Sequence, residues 1–69
     1  MKLSARNQIA GTIKDVHKGA TTAHVVIEIA GGALLTASIT NESVEALKLA
    51  KGQKAFAVIK ASDVMVGVE

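Results

Sequence analysis

His24-Val25-Val26-Ile27-Glu28-Ile29-Ala30-Gly31-Gly32-Ala33-Leu34-Leu35-Thr36-Ala37-Ser38-Ile39-Thr40 is the stretch that decides the fold. Val25, Ile27 and Ile29 alternate with His24, Val26 and Glu28, and Leu35, Ala37 and Ile39 alternate with Thr36, Ser38 and Thr40. A period of two marks a strand with one buried face. Between the two runs, Gly31-Gly32 supplies two residues free to take positive φ, which a two-residue hairpin turn requires. The stretch therefore predicts a strand over 21–30, a tight turn at Gly31-Gly32, and a third strand carrying Leu35, Ala37 and Ile39 on its inner face.

The same periodicity extends outward in both directions. Upstream, Ile9, Gly11 and Ile13 alternate with Ala10, Thr12 and Lys14, predicting an N-terminal strand over 6–16 followed by a turn at Lys18-Gly19. Downstream, Asn41 is expected to cap a short helix with Glu42 in its first turn and an apolar stripe of Val44, Leu47 and Leu49. Lys48 and Lys51 suit the C-terminal end of that helix, and Gly52 ends the segment. Phe56 and Val58 alternate with Ala55, Ala57 and Ile59 in a fourth strand, and Val64, Val66 and Val68 alternate with Met65 and Gly67 in a fifth. Five short strands, one short helix between the third and fourth, and no proline predict an all-β, five-stranded OB-fold-like barrel. With no repeat and no break in composition, residues 1–69 read as one domain.

Composition narrows the function classes. A chain of 69 residues buries only about 60% of its unfolded surface and gains from reinforcement. No cysteine is present, so disulfides are excluded, and two histidines without cysteine argue against a structural zinc site. The chain is 49% hydrophobic with Phe56 as its one aromatic residue. That much aliphatic surface on a small domain points to association between subunits. The net charge of +2, from eight basic and six acidic residues spread along the chain, gives little support for a nucleic-acid or membrane partner. Barrels that bind single strands stack bases on aromatic side chains. Without Trp or Tyr that platform is missing, which leaves a nucleic-acid-binding barrel as the weaker alternative. Met1-Lys2-Leu3 leads directly into polar residues, and no apolar run reaches the roughly 18 residues of a membrane span, so a cytoplasmic location is expected.

The acidic residues Asp15, Glu28, Glu42, Glu45, Asp63 and Glu69 show no paired spacing, and neither a phosphate-binding glycine loop nor a nucleophile elbow occurs. His17 and His24 read as surface residues. An enzyme is not expected. The run Ser4-Ala5-Arg6-Asn7-Gln8 instead packs a hydroxyl, a guanidinium and two carboxamides together without a carboxylate. Such a set of donors suits an oxyanion. Arg6 would clamp the anion, Ser4 and Asn7 would add side-chain donors, and the Ala5 amide could join them. Lys60, ahead of Ala61-Ser62, is a candidate second cation. Thr40 ends a row of hydroxyls on the third strand.

These motifs resemble the molbindins, or Mop family, a group of small cytoplasmic molybdate-binding proteins. Ser4-Ala5-Arg6-Asn7-Gln8, Glu28-Ile29-Ala30-Gly31-Gly32 and Ile59-Lys60-Ala61-Ser62-Asp63-Val64-Met65 carry the likeness, which spans essentially the whole chain. The resemblance implies an OB-like barrel that assembles as a homohexamer, a trimer of dimers, holding molybdate or tungstate at subunit interfaces for storage and homeostasis of molybdenum, with no organic cofactor. It further implies that Ser4, the Ala5 amide and Arg6 form one wall of the main pocket. Thr40, Lys60 and the Ala61 amide of a second copy would form the other, with Asn7 and Ser62 beside them. A second type of site, built mainly from backbone groups, is expected around Lys18-Gly19-Ala20. Related domains occur in molybdate-responsive regulators and transporter ATPases, but no DNA-binding segment or ATPase motif accompanies this sequence.

Overall fold

The computed structural model describes residues 1–69. Its elements are β1 (Asn7–Lys18), β2 (Thr22–Ile29), β3 (Leu34–Thr40), α1 (Asn41–Leu47) and β4 (Lys54–Ile59), with single turns of 3-10 helix at Ala30–Gly32 and Ala61–Asp63. The strands form one antiparallel sheet in the order β3-β2-β1-β4. β1 serves two neighbours. Its residues Asn7–Thr12 pair with β4, and its residues from Gly11 to Lys18 pair with β2.

Two features of β1 curl the sheet. Gly11 lies opposite both Ile29 and Ala55, where all three strands meet. A Cβ at this position would stand 2.6 Å from the Glu28 carbonyl oxygen and 2.7 Å from Ile27 Cγ2, so only glycine lets the backbones approach. Two residues on, the pairing with β2 slips between Ile13 and Asp15. The extra residue is a β-bulge, which bends and twists its strand. Its trace in the burial pattern is two successive exposed residues, Lys14 and Asp15, between inward-facing Ile13 and Val16. The curled inner face encloses Ile13, Ala23, Val25, Ile27 and Ala57, and α1 adds Val44 to that core.

Several expectations need correction. The hairpin between β2 and β3 is wider than a two-residue turn. Residues Ala30–Ala33 connect the strands, and the Ile29 N–H donates to the Ala33 carbonyl at 2.9 Å. Gly31 and Gly32 do take positive φ, at 87° and 86°. The helix cap is Thr40, whose Oγ1 accepts from the Ser43 N–H at 3.0 Å. Asn41 is already inside the helix. Its backbone N–H donates to the Thr21 carbonyl and its Nδ2 to the Gly19 carbonyl, fastening α1 to the β1–β2 turn. The helix stops at Leu47 because Lys48 turns left-handed, with φ 53°. Gly52, at φ 90°, instead belongs to the turn that returns to β1, where its N–H donates to the Ile13 carbonyl at 2.8 Å.

The main correction concerns the fifth strand. Residues 64–69 lie outside the sheet, with Val66 and Val68 91% and 92% exposed. Alternation tells which side chains a strand would bury. It does not tell whether a free edge lies within the same chain's reach. The barrel therefore has four strands and stays open between β3 and β4. Only six residues are fully buried, against ten large hydrophobics left exposed, so a single copy makes a thin core.

Replacing Gly11 by alanine is expected to destabilise the chain by about 1–3 kcal/mol through overpacking, whereas the same change at Gly67, where nothing lies within 4 Å, leaves stability unchanged. Ile13→Ala should cost about 2–5 kcal/mol and Thr40→Ala about 1 kcal/mol. Urea unfolding of the four variants measures all of these differences.

Candidate oxyanion site

The β1–β4 ladder ends at the pair Asn7 and Ile59. Asn7 Nδ2 donates to the Ile59 carbonyl at 3.2 Å and locks this end. Arg6 and Lys60 follow directly on this last pair, and Ala5 and Ala61 come next along each segment. Beyond Asn7 and Ile59 the ladder pairing stops, so Arg6 and Lys60 flank its open end. Both are exposed. The ion pairs of the molecule, Lys14 with Glu28 at 4.0 Å and Lys18 with Glu45 at 3.5 Å, involve neither of them.

The backbone around them is shaped by local bonds. Gln8 Nε2 reaches back to the Ala5 carbonyl at 3.2 Å and bends the segment that carries Ser4 and Arg6. On the other side, the Asp63 N–H donates to the Lys60 carbonyl at 2.9 Å and the Val64 N–H to the Ala61 carbonyl at 3.2 Å. This closes a 3-10 turn, whose leading N–H groups have no partner inside it. Ser4, Ala5, Arg6, Lys60, Ala61 and Ser62 therefore meet at one end of one chain. Asn7 lies there too, with its amide donor already used on Ile59.

Thr40 is elsewhere. It pairs with Thr22 at the opposite end of the sheet, beyond the full length of β1. Its hydroxyl caps α1 and bonds Ser43 Oγ at 2.8 Å. Within one chain it cannot join Arg6 and Lys60.

The turn Lys18-Gly19-Ala20 is near Thr40. A shallow cavity of about 360 Å³ there is lined by Ala20, Thr21, Thr40, Asn41 and Glu42. Gly19 is tied down by its N–H to the Thr22 carbonyl, and Lys18 is paired with Glu45. Asn41 Oδ1 is buried here without a hydrogen-bond partner, so the pocket holds an unused acceptor as well as the Glu42 carboxylate. Sequence reading took Asn41 for a cap and missed this placement. Thr40 and Asn41 are both good capping residues in adjacent positions, and only the chain path selects between them.

His17 and His24 lie directly opposite each other on β1 and β2, both exposed. No three His, Cys, Asp or Glu side chains converge on a common point. The larger concavity, about 610 Å³ between β3 and β4, is apolar and offers an oxyanion little.

Residues 3–66 match the TOBE domain family. The chain is 54% identical over 67 residues to the molybdenum transport protein ModE of Herbaspirillum seropedicae, covering 97% of this chain and about a quarter (25%) of ModE. It is 45% identical over 69 residues, the full length of both, to a probable molybdenum-pterin-binding protein of Haemophilus influenzae. Its fold superposes on that of ModG, described as a cytoplasmic molybdate-binding protein and solved with molybdate bound. The TM-score is 0.94 at 45% identity, over all of this chain and 49% of ModG. The chain accordingly belongs to the TOBE domain family, and within it to the molbindin type.

Proposed function

We propose that this protein binds molybdate, and tungstate in the same way, for intracellular storage and homeostasis of molybdenum in the cytoplasm, and that its role is binding rather than catalysis. The observation that carries this reading is that Arg6 and Lys60, neither of them in an ion pair, both follow directly on the last pair of the β1–β4 ladder. The names of the relatives support the choice of ion.

The donor set explains selectivity. Molybdate is a tetrahedral dianion with no proton to offer near neutral pH, so each of its oxygens only accepts. Arg6 and Lys60 give charge-assisted bonds, about twice as strong as neutral ones. The Ser4 and Ser62 hydroxyls, the second N–H of the Asn7 carboxamide and the Ala5 and Ala61 amides complete a shell of donors. Phosphate, partly protonated at the same pH, would turn its O–H against one of them. An unsatisfied buried donor costs about 1–3 kcal/mol. Sulfate has no such proton, and its smaller size is the remaining ground for rejecting it.

Both cations are exposed in one copy, so this shell needs a lid. We assign that role to a second copy, in a homohexamer built as a trimer of dimers, with Thr40, Lys60 and the Ala61 amide of that copy contributed across the interface. Lys18-Gly19-Ala20, through backbone groups, is proposed as a second type of site. Residues 1–69 act as one binding domain in this reading.

Arg6→Ala and Lys60→Ala are each expected to weaken molybdate binding at least about tenfold, the loss of one charge-assisted bond. Arg6→Lys should recover only part of the affinity, because a point charge does not replace a planar fork. Lys18→Ala should leave the main site unaffected. Calorimetric titration with molybdate checks all four variants, and equal affinity of Arg6→Ala and the wild type refutes the assignment. Competition with phosphate should leave molybdate bound.

A further inference from the structure

We infer that His17 and His24 form a two-histidine site for a divalent transition-metal ion of the class that imidazole binds, such as Zn²⁺ or Ni²⁺, on the outer face of the β1–β2 ladder. The site lies at the far end of the sheet from Arg6 and Lys60 and does not depend on which anion is bound there.

The two residues are a directly opposed pair, one step from the last pair of the ladder, Lys18 with Ala23. Their neighbours Val16, Ala23 and Val25 pack on the core, so both imidazoles stand on the opposite, solvent-facing side. Opposed side chains on one face have Cβ atoms about 4.5–5.5 Å apart. From such a base, one nitrogen of each ring can come within about 2.0–2.1 Å of a single ion. Both rings are uncommitted. No side-chain hydrogen bond or ion pair engages either of them. On β3 the partner of His24 is Ser38, a small side chain that leaves the ring room to turn. The backbone beneath the pair is fixed. The Gly19 N–H closes the turn on the Thr22 carbonyl at 2.8 Å, and Asn41 fastens that turn through its N–H to the Thr21 carbonyl at 2.8 Å and its Nδ2 to the Gly19 carbonyl at 2.9 Å. An arriving ion meets two ligands already held at a set spacing, so the ordering cost is confined to side-chain torsions.

The ligand type chooses the ion. Imidazole suits zinc, copper and nickel, whereas Mg²⁺ and Ca²⁺ take oxygen ligands, and no third His, Asp or Glu converges on the pair. A closed structural zinc site has four protein ligands. With two, the rest of the coordination shell belongs to water, and the ion exchanges. The two ligands come from different strands, so a bound ion ties β1 to β2 just beyond the β-bulge. It stabilises the folded chain by mass action, because the unfolded chain does not hold the two rings at this spacing. For a chain with only six fully buried residues, such a tie adds to a thin core.

The test uses the full-length, untagged chain as it assembles in solution. Calorimetric titration should show one Zn²⁺ bound per chain, with Ni²⁺ also taken up and Mg²⁺ not. The chain has two histidines, so two sets of imidazole proton resonances report the site directly, and both should shift together and saturate at one equivalent of Zn²⁺. His17→Ala and His24→Ala should each weaken Zn²⁺ binding about a hundredfold, which is the gain from holding two ligands on one scaffold. Each should also remove the rise in Tm that Zn²⁺ gives the wild type. His17→Gln and His24→Gln repeat the test with a longer polar side chain if alanine weakens the strand pair. Molybdate affinity at the Arg6 end should be the same in all four variants. Zn²⁺ affinity unchanged in either single variant overturns the inference. So does a wild type that binds no Zn²⁺, or one that takes up half an ion per chain, which places the ion between copies. A chain that binds Zn²⁺ at these two rings but no molybdate supports this site while overturning the ligand reading, and the converse result overturns this site alone.

Discussion

One strand with two partners governs this molecule. β1 lends its first half to β4 and its second half to β2, and the handover occurs at Gly11, where a side chain would strike the Glu28 carbonyl. The bulge two residues later turns the strand so that both halves face one core. Without that close approach and bend, the four strands would make a flatter sheet, with no enclosed face for Ile13, Val25 and Ile27 to fill. The bend also fixes where the chain's two ends lie. It brings Asn7 beside Ile59, and with them the donor-rich N-terminal run beside Lys60.

The geometry of the candidate site is thus a consequence of sheet topology rather than of any dedicated loop. Two segments remote in sequence supply cations to one ladder end. They are positioned by backbone pairing and by one side-chain bond, from Asn7 to the Ile59 carbonyl. The same topology leaves two edges unpaired around an apolar groove, immediately next to the charged end.

Much of this was legible in the residues, and the failures have specific causes. Alternation located four strands, with ends off by a residue or two, and the glycine pair marked the bend between β2 and β3. The turn there is longer than expected because Gly-Gly permits positive φ without dictating how many residues share the loop. Thr40 and Asn41 were exchanged as cap and first helical residue, since either side chain can cap. Residues 64–69 carry a genuine strand pattern but no partner in their own chain. At the candidate site, Ser4-Ala5-Arg6-Asn7-Gln8 stood out in the sequence because it groups donors without a carboxylate. The pairing of Asn7 with Ile59 places Arg6 and Lys60 at the same end of the ladder, and the pairing of Thr22 with Thr40 places Thr40, the helix cap, at the far end of the sheet.

The residues alone determined the class of fold, the periodicity of each strand and the preference for an oxyanion, because all three depend on local order along the chain. Only the tertiary structure decided which edges stay open, which donors stand together and which hydroxyl is spent on a helix cap. Those outcomes depend on contacts between segments up to 52 residues apart, and these are set by how one bent strand distributes its hydrogen bonds between two neighbours.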